Sequence, residues 1–381
     1  MRRKRGNRRI QREIECFALF LIFLAGWLGT AQAAPQVGAQ AYALLEASTG
    51  RVLLEHNADA ELPMASTTKI MTCIVAIEEG DLDAVVEVPD EAVGVEGSSM
   101  YLQRGETLTL RDLLYGLMLA SGNDAAVTIA VHIAGSVENF AAKMNEKAVE
   151  FGAVHTHFVT PNGLPAEGHY TTAHDLAKIS AYAMGNETFR EIVGTSSKNL
   201  PQDDDSPARY LRSKNKMLYQ YKGGNGVKTG YTKAAGKCLS AGAARDGMQL
   251  VAVVLNDGDM FSDCYALLDY GFSEYSMQRM AQAGEPLGSL QVQGGVEGRV
   301  EIAINDEIAL PLRAEEYKII KRKVNIVSEI QAPVRRGTVV GTIEFRLGEE
   351  LCASGEIVAT QDVAENTYEY NLSKILEQWI G

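Results

Sequence analysis

Three short motifs in this chain carry side chains suited to acyl transfer: Ser66-Thr67-Thr68-Lys69, Ser121-Gly122-Asn123 and Lys228-Thr229-Gly230. A serine hydroxyl is a poor nucleophile at neutral pH and needs a positioned base. Ser66 and Lys69, three residues apart at a helix start, lie on one face, so the amine can reach the hydroxyl, and the helix N-terminus favours negative charge developing at Ser66. Lys69 accepts a proton only if its pKa falls, which burial and a second cation, Lys228, would both promote. Ser121 can pass a proton between Lys69 and a leaving amine, while the Asn123 amide can hold a substrate amide. Lys228 and Thr229 offer a charge and a hydroxyl to a carboxylate, and the bare Gly230 lets a substrate backbone lie against its strand. The combination spells a serine acyl-transfer site with lysine as its base.

The order of the motifs selects among decoys. From average composition a K-T-G turns up by chance in roughly one chain in ten of this length, and S-x-x-K or S-x-N about once per chain. A second S-x-x-K indeed runs from Ser213 to Lys216, and further S-x-N triplets begin at Ser197 and Ser213. No S-x-N lies between Lys216 and Lys228, so an S-x-x-K, S-x-N, K-T-G order leaves Ser66 as the start. Ser121 follows an apolar, helix-like run over 110–120, whereas Ser197 and Ser213 sit in polar sequence. Taken singly, each motif also has an ordinary structural role: Ser66 as a helix N-cap, Ser121-Gly122-Asn123 as a helix-ending turn, Lys228 as a solvated strand lysine.

The elements that must position these residues are legible in outline. Apolar runs at 41–46 and 51–55 flank Ala47-Ser48-Thr49-Gly50, a hairpin signal. Residues 66–80 predict a helix stopped by Gly80, and Thr109-Leu110-Arg111-Asp112 resembles a capping box opening the helix that delivers Ser121. Helical patterning continues over 124–152 and recurs at 173–184. A polar connection then leads to strands at 226–232, 238–244 and 249–255, the last two joined across Asp246-Gly247, and to a closing helix at 260–270. This pattern predicts an α+β domain around an antiparallel sheet. A Gly/Pro-containing linker is expected over 281–288, then a small all-β domain with strands near 298–304, 324–330 and 339–345. In the last stretch, 365–381, Tyr368, Leu372, Ile375, Leu376 and Trp379 share one face of an amphipathic helix too short and charged to cross a membrane. Its polar face is acidic, and it admits two placements, flat on a membrane surface or packed on the protein.

Composition is that of a globular protein of several domains: 381 residues, 46% hydrophobic and 22% charged. The N-terminus differs, with seven basic residues up to Arg12, an apolar run over 16–28 and the cleavage signal Ala31-Gln32-Ala33. It reads as a secretory signal peptide over 1–33, placing the remainder outside the cytoplasm, in the cell wall or on the outer face of the cytoplasmic membrane. The remainder holds 29 basic against 47 acidic side chains, a net charge of −18. That balance argues against nucleic acid as a partner. Cys73, Cys238, Cys264 and Cys352 fit no metal spacing and are expected as buried free thiols, a Cys238–Cys264 bridge being the alternative. His169 and His174 lack metal or triad spacing and are expected to be structural. Neither a metal nor a cofactor is implied.

With longer stretches included, the sequence resembles the low-molecular-mass penicillin-binding proteins, the serine-type D-alanyl-D-alanine carboxypeptidases. The likeness rests on the S-x-x-K motif, on 119–126 (Leu-Ala-Ser-Gly-Asn-Asp-Ala-Ala), on 227–232 (Val-Lys-Thr-Gly-Tyr-Thr), and on Phe158-Val159-Thr160-Pro161-Asn162-Gly163-Leu164 and Gly168-His169-Tyr170-Thr171-Thr172. It extends over nearly the whole chain. It implies a penicillin-binding/β-lactamase-like transpeptidase domain over 34–280, a β-rich domain over 281–360 and an amphipathic tail over 361–381 that can anchor to a membrane surface. By resemblance Ser66 is the acylated serine, Lys69 its base, and Ser121 and Asn123 the second motif. Lys228 and Thr229 then grip the substrate's terminal carboxylate, and the backbone N–H groups of Ser66 and Tyr231 form the oxyanion hole. Some family members have histidine where Tyr231 stands; a backbone role tolerates that change. The implied substrate is a peptidoglycan stem pentapeptide, with β-lactams as inhibitors. Three other readings are weighed: a serine β-lactamase, disfavoured because no Glu-x-x-Leu-Asn motif lies between the second and third motifs; a DD-endopeptidase; and a catalytically silent wall-binding protein.

Overall fold

The computed structural model describes residues 33–200 and 208–380. The expected signal peptide, apart from Ala33, lies outside the described residues. Strands β1 (Ala41–Glu46) and β2 (Val52–His56) form the hairpin around Gly50. A 3-10 turn (Ala65–Thr68) then runs into α1 (Lys69–Glu79). The short strands β3 (Val85–Glu87) and β4 (Thr107–Thr109) bracket a loop, and α2 (Leu110–Tyr115) follows β4. The helical pattern over 124–152 resolves into two helices, α3 (Asn123–Ala134) and α4 (Val137–Glu150). Gly135 breaks the run at φ 77°, and the Ser136 hydroxyl restarts it by accepting from Asn139 N.

After α5 (Ala173–Gly185) the described part of the stretch expected as polar connection carries secondary structure. It holds α6 (Glu187–Gly194), the hairpin strands β5 (Ser197–Leu200) and β6 (Arg209–Arg212), and the single turn α7 (Met217–Gln220). Strands β7 (Gly224–Thr232), β8 (Gly236–Arg245) and β9 (Met248–Asp257) and helix α8 (Met260–Glu274) complete the α+β domain. The β8–β9 turn is Asp246-Gly247, with φ of 49° and 78°.

The main sheet has the order β2-β1-β9-β8-β7, antiparallel throughout. Its central strands are apolar on both faces because both are covered. On β9, Val251, Val253 and Leu255 join Ile70 and Ile74 of α1 in one core, while Leu250, Ala252 and Val254 join Leu267 and Leu268 of α8 in the other. Helix α1 is therefore a core helix, buried from Lys69 to Ala76.

Half of the expected linker is strand: β10 (Ser276–Ala281) and β11 (Pro286–Gln293) leave 282–285 as a turn. The C-terminal β domain continues with β12 (Arg299–Ile304), β13 (Ile308–Leu312), the short helix α9 (Ala314–Ile319), β14 (Lys321–Ile326), β15 (Glu329–Gln331), β16 (Val339–Leu347) and β17 (Glu350–Ala359). Six strands form a sheet in the order β14-β16-β17-β12-β11-β15 over a core including Val300, Ile302, Ile343, Phe345 and Ile357, while β10 pairs with β13. Arg51, beside the β1–β2 hairpin, reaches Glu316 of α9 at 2.7 Å. Helix α10 (Tyr368–Ile380) ends the described chain, and Tyr368, Leu372, Ile375, Leu376 and Trp379 are all exposed on it. The four cysteines named above are free; Cys73, Cys238 and Cys264 are buried, whereas Cys352 is only partly so.

Candidate active site

Ser66 lies within the 3-10 turn whose N-cap is Met64, so its hydroxyl is not spent on capping. It stays partly exposed while Thr67, Thr68 and Lys69 are buried. The amine of Lys69 is fully enclosed, with three oxygens in hydrogen-bond range: in its neutral form it donates to Asn123 Oδ1 at 2.7 Å and the Asn162 carbonyl at 2.6 Å, which leaves its lone pair to accept from Ser66 Oγ at 3.0 Å. No carboxylate pairs with it among the described residues. Burial, reinforced by the charges of Lys228 and Lys214 and opposed by that of Asp124, holds its pKa well below the usual lysine range. The two-residue correspondence inferred from spacing is thus a direct contact, and the amine is in an environment that favours its neutral form.

Thr109 caps α2, its hydroxyl accepting from Asp112 N at 3.1 Å. The helix then widens into a π-turn over Gly116–Ala120 and ends at Ser121 in the left-handed region, φ 62°. A non-glycine residue adopts that conformation at about 1–2 kcal/mol, and neighbouring bonds hold it. Asn123 N donates to Ser98 O at 2.7 Å, and the Asn123 side-chain amide donates to Glu96 O. Asp124, buried at the start of α3, accepts from Ser99 Oγ, Met100 N and Leu102 N. Ser121 is thereby nearly buried, and its hydroxyl makes no hydrogen bond among the described residues.

Strand β7 lies at the edge of the main sheet, and it packs on the 3-10 turn. A Cβ on Gly230 would sit 3.0 Å from Ser66 N and 3.1 Å from Met64 O, so the strand lies this close only because position 230 is bare. Lys228 is buried rather than solvated, with its amine donating to Thr229 O at 2.9 Å. Burial, with the charge of Lys214 added, lowers its pKa to about 7. Thr229 is partly buried and Tyr231 exposed. Ser66 sits in the first turn of its helix, where N–H groups lack intrahelical acceptors, and β7 brings Tyr231 alongside that turn.

Two contributors, the Asn162 carbonyl and Lys214, were not identified from sequence, while His169 has the structural role expected of it. The Asn162 carbonyl is a backbone group, invisible to side-chain pattern. His169 is buried beneath the 3-10 turn; its Nδ1 accepts from Val159 N at 3.0 Å, which leaves Nε2–H to donate to Thr68 Oγ1 at 2.9 Å. Burial and His157 lower its pKa to about 4, so it is a neutral support for the turn with no carboxylate partner. Lys214, inside the rejected Ser213 decoy, is brought by the fold close enough for its charge to act on both Lys69 and Lys228. His174 lies apart, 3.4 Å from Asp59.

The family described as D-alanyl-D-alanine carboxypeptidase matches residues 29–259, and that described as penicillin-binding protein 5, C-terminal domain, matches residues 275–365. The chain is 31% identical to the D-alanyl-D-alanine carboxypeptidase DacF of Bacillus subtilis over 350 residues, covering 90% of each chain. It is 30% identical to DacA of Escherichia coli over 351 residues, covering 88% of this chain and 86% of that one. Among solved structures, penicillin-binding protein 5 from Haemophilus influenzae superposes with a TM-score of 0.73 at 27% identity, covering 88% of this chain and all of that one. A serine and a buried lysine in contact, a second motif locked behind them and a third on the adjoining edge strand thus sit in a chain related over most of its length to these enzymes: the protein belongs to the D-alanyl-D-alanine carboxypeptidase family of penicillin-binding proteins.

Proposed function

We propose that Ser66 is the nucleophile that removes the terminal D-alanine from peptidoglycan stem pentapeptides. Neutral Lys69 takes the proton from Ser66 Oγ as that oxygen bonds to the carbonyl carbon of the penultimate D-alanine. The backbone N–H groups of Ser66 and Tyr231 receive the oxyanion. Ser121 relays the proton to the departing amine, D-alanine leaves, and water hydrolyses the ester on Ser66. Asn123 holds both the Lys69 amine and the substrate amide, while Lys228 and Thr229, with Gly230 leaving the strand open to the substrate backbone, bind the terminal carboxylate, Lys214 adding charge nearby. The observation that carries this reading is the enclosed Lys69 amine 3.0 Å from Ser66 Oγ, with no carboxylate paired to it among the described residues. β-Lactams present a strained amide beside a carboxylate and acylate Ser66 by the same route. Mass spectrometry after incubation with a penicillin is expected to find one adduct, on the Ser66 peptide, and pentapeptide to release D-alanine; an unmodified Ser66 would refute the assignment.

The same reading places the protein outside the cytoplasm. Among the described residues no single helix is long and apolar enough to cross a bilayer. The exposed apolar face of α10 supports attachment to the outer membrane surface, and the basic-apolar leader supports export. Expressed in a bacterium, the full chain should be recovered with the membrane, start at Ala34, and move to the soluble fraction when α10 is deleted. Recovery of both forms in one fraction would contradict the anchor.

A further inference from the structure

The hydroxyl of Ser121 makes no hydrogen bond among the described residues, so backbone conformation and packing set its position. That conformation is left-handed, and its footing is Met100, whose side chain is buried. The Met100 thioether lies against Gly116 at the start of the π-turn, where it leaves no room for a Cβ, and its Cγ lies 3.0 Å from where a Cβ on Gly122 would stand. The side chain thus wedges against both ends of the segment that carries Ser121, and Gly122 N closes that segment on Gly116 O at 3.2 Å. Asn123 has separate supports in Glu96 O, Ser98 O and the Lys69 amine.

Met100 is itself held by a buried ion pair. The side chains of Glu106 and Arg209 are 1% and 9% exposed. The guanidinium forks onto the Glu106 carboxylate, Nη2 donating to Oε2 at 2.7 Å, while Nε donates to Met100 O at 2.9 Å and Nη2 also to Tyr101 O at 3.2 Å. Glu106 Oε2 accepts from Gln103 N at 2.9 Å as well, so the pair ties both ends of the 100–106 turn. These bonds hold Tyr101 in the left-handed region, φ 63°. Arg209 opens β6, which packs on the π-turn, so one strand supports the wedge and the segment it presses on. A buried ion pair contributes little net stability because desolvation offsets the attraction, but a forked guanidinium fixes geometry.

We propose that Glu106 and Arg209 are positioning residues for Ser121, holding its hydroxyl through Met100 between Lys69 and the departing amine. This rests on the relay assigned to Ser121 above. Protonation of the leaving group is the step that needs that hydroxyl. Attack by Ser66 needs Lys69, whose contacts to Asn123 and Asn162 the pair does not touch. The pair therefore matters when the leaving atom must gain a proton and little when it need not.

The test compares the pentapeptide with an analogue in which sulfur replaces the scissile nitrogen and the leaving carboxylate is kept. As the Ser66 Oγ–carbon bond forms and the carbon–sulfur bond breaks, the sulfur departs as a thiolate with the electron pair and takes no proton. Both substrates give the same acyl-enzyme. Arg209→Met combined with Glu106→Leu removes the two charges together and leaves neither unpaired. It should lower kcat/KM for pentapeptide roughly 10- to 100-fold, the cost of a misplaced catalytic group, and for the thioester by less than about threefold. Arg209→Lys, which keeps the charge but loses the fork, should fall between. Ser121→Ala should show the same split, and adding the double substitution to it should cost less than about twofold more, because residues acting through one another are not additive. Equal losses on amide and thioester, an unchanged amide rate, or a loss that adds fully to that of Ser121→Ala would overturn the assignment, with Arg209→Lys answering the first two should the double variant not fold. Ser121→Ala losing both substrates equally would overturn the relay it rests on, and a wild type with neither D-alanine release nor a Ser66 adduct would overturn the proposed function itself.

Discussion

Replacing Lys69 by alanine is expected to slow acylation of Ser66 by roughly 10²–10⁴-fold, the range contributed by a positioned general base. The Lys69 amine is the basic group that contacts Ser66 Oγ among the described residues, at 3.0 Å, while His169 faces Thr68 and spends its acceptor nitrogen on Val159 N. No other described residue is placed to substitute. Lys69→Arg should fail almost as completely, because a guanidinium stays protonated in proteins and cannot accept the proton. In the wild type, acylation should fall as pH drops through the lowered pKa of Lys69 and its base becomes protonated. That acid limb should vanish in the alanine variant, leaving a low, flat rate. Single-turnover acylation by a penicillin measures this without interference from deacylation, and far-UV circular dichroism with a thermal melt separates loss of the base from loss of the fold. An alanine variant acylating within threefold of wild type would remove Lys69 from the mechanism.

The parts of this molecule that were legible in sequence are those with local causes. Thr109 announces α2 because its hydroxyl and Asp112 N meet within one turn, and Asp246-Gly247 announces the β8–β9 hairpin because both residues tolerate positive φ. The motif order singled out Ser66 without any geometry. What failed was what depends on partners distant in the chain. The hairpin β5–β6 buries chiefly Leu200 and Leu211, one apolar residue per strand, too little to stand out from a polar connection. Strands β10 and β11 were hidden by Gly284 in the turn between them and by Pro286 and Gly288 at the start of β11. Helices α3 and α4 were merged because alanine-rich patterning flanks Gly135 on both sides. Within the site, Asn162 acts through its carbonyl and Lys214 acts through charge brought in by the fold, so neither leaves a pattern in side-chain spacing.

Lys228→Met is expected to weaken the enzyme and strengthen the protein. A charge-assisted hydrogen bond to the substrate carboxylate contributes about 1.5–3 kcal/mol, so its loss should lower kcat/KM for pentapeptide, and penicillin acylation with it, by about 10- to 150-fold. The stability effect has the opposite sign. Lys228 is buried with no carboxylate partner among the described residues, and its pKa falls from 10.5 in the unfolded chain to about 7. Between those values the unfolded chain binds more protons, so stability rises with pH through that window, and below about 7 the penalty is fully present. A shift of that size corresponds to a cost of order 4 kcal/mol at and below neutrality. Methionine of similar length carries no such cost, so Lys228→Met should resist denaturant better than wild type at pH 6, and the advantage should shrink toward pH 10. Binding should reveal the same group: a carboxylate facing the amine pulls its pKa back up, so ligand binding at pH 8 should take up a proton, visible as a buffer-dependent heat in calorimetry. A methionine variant less stable than wild type at pH 6, or binding with no proton uptake at pH 8, would mean that Lys228 does not titrate as its burial dictates.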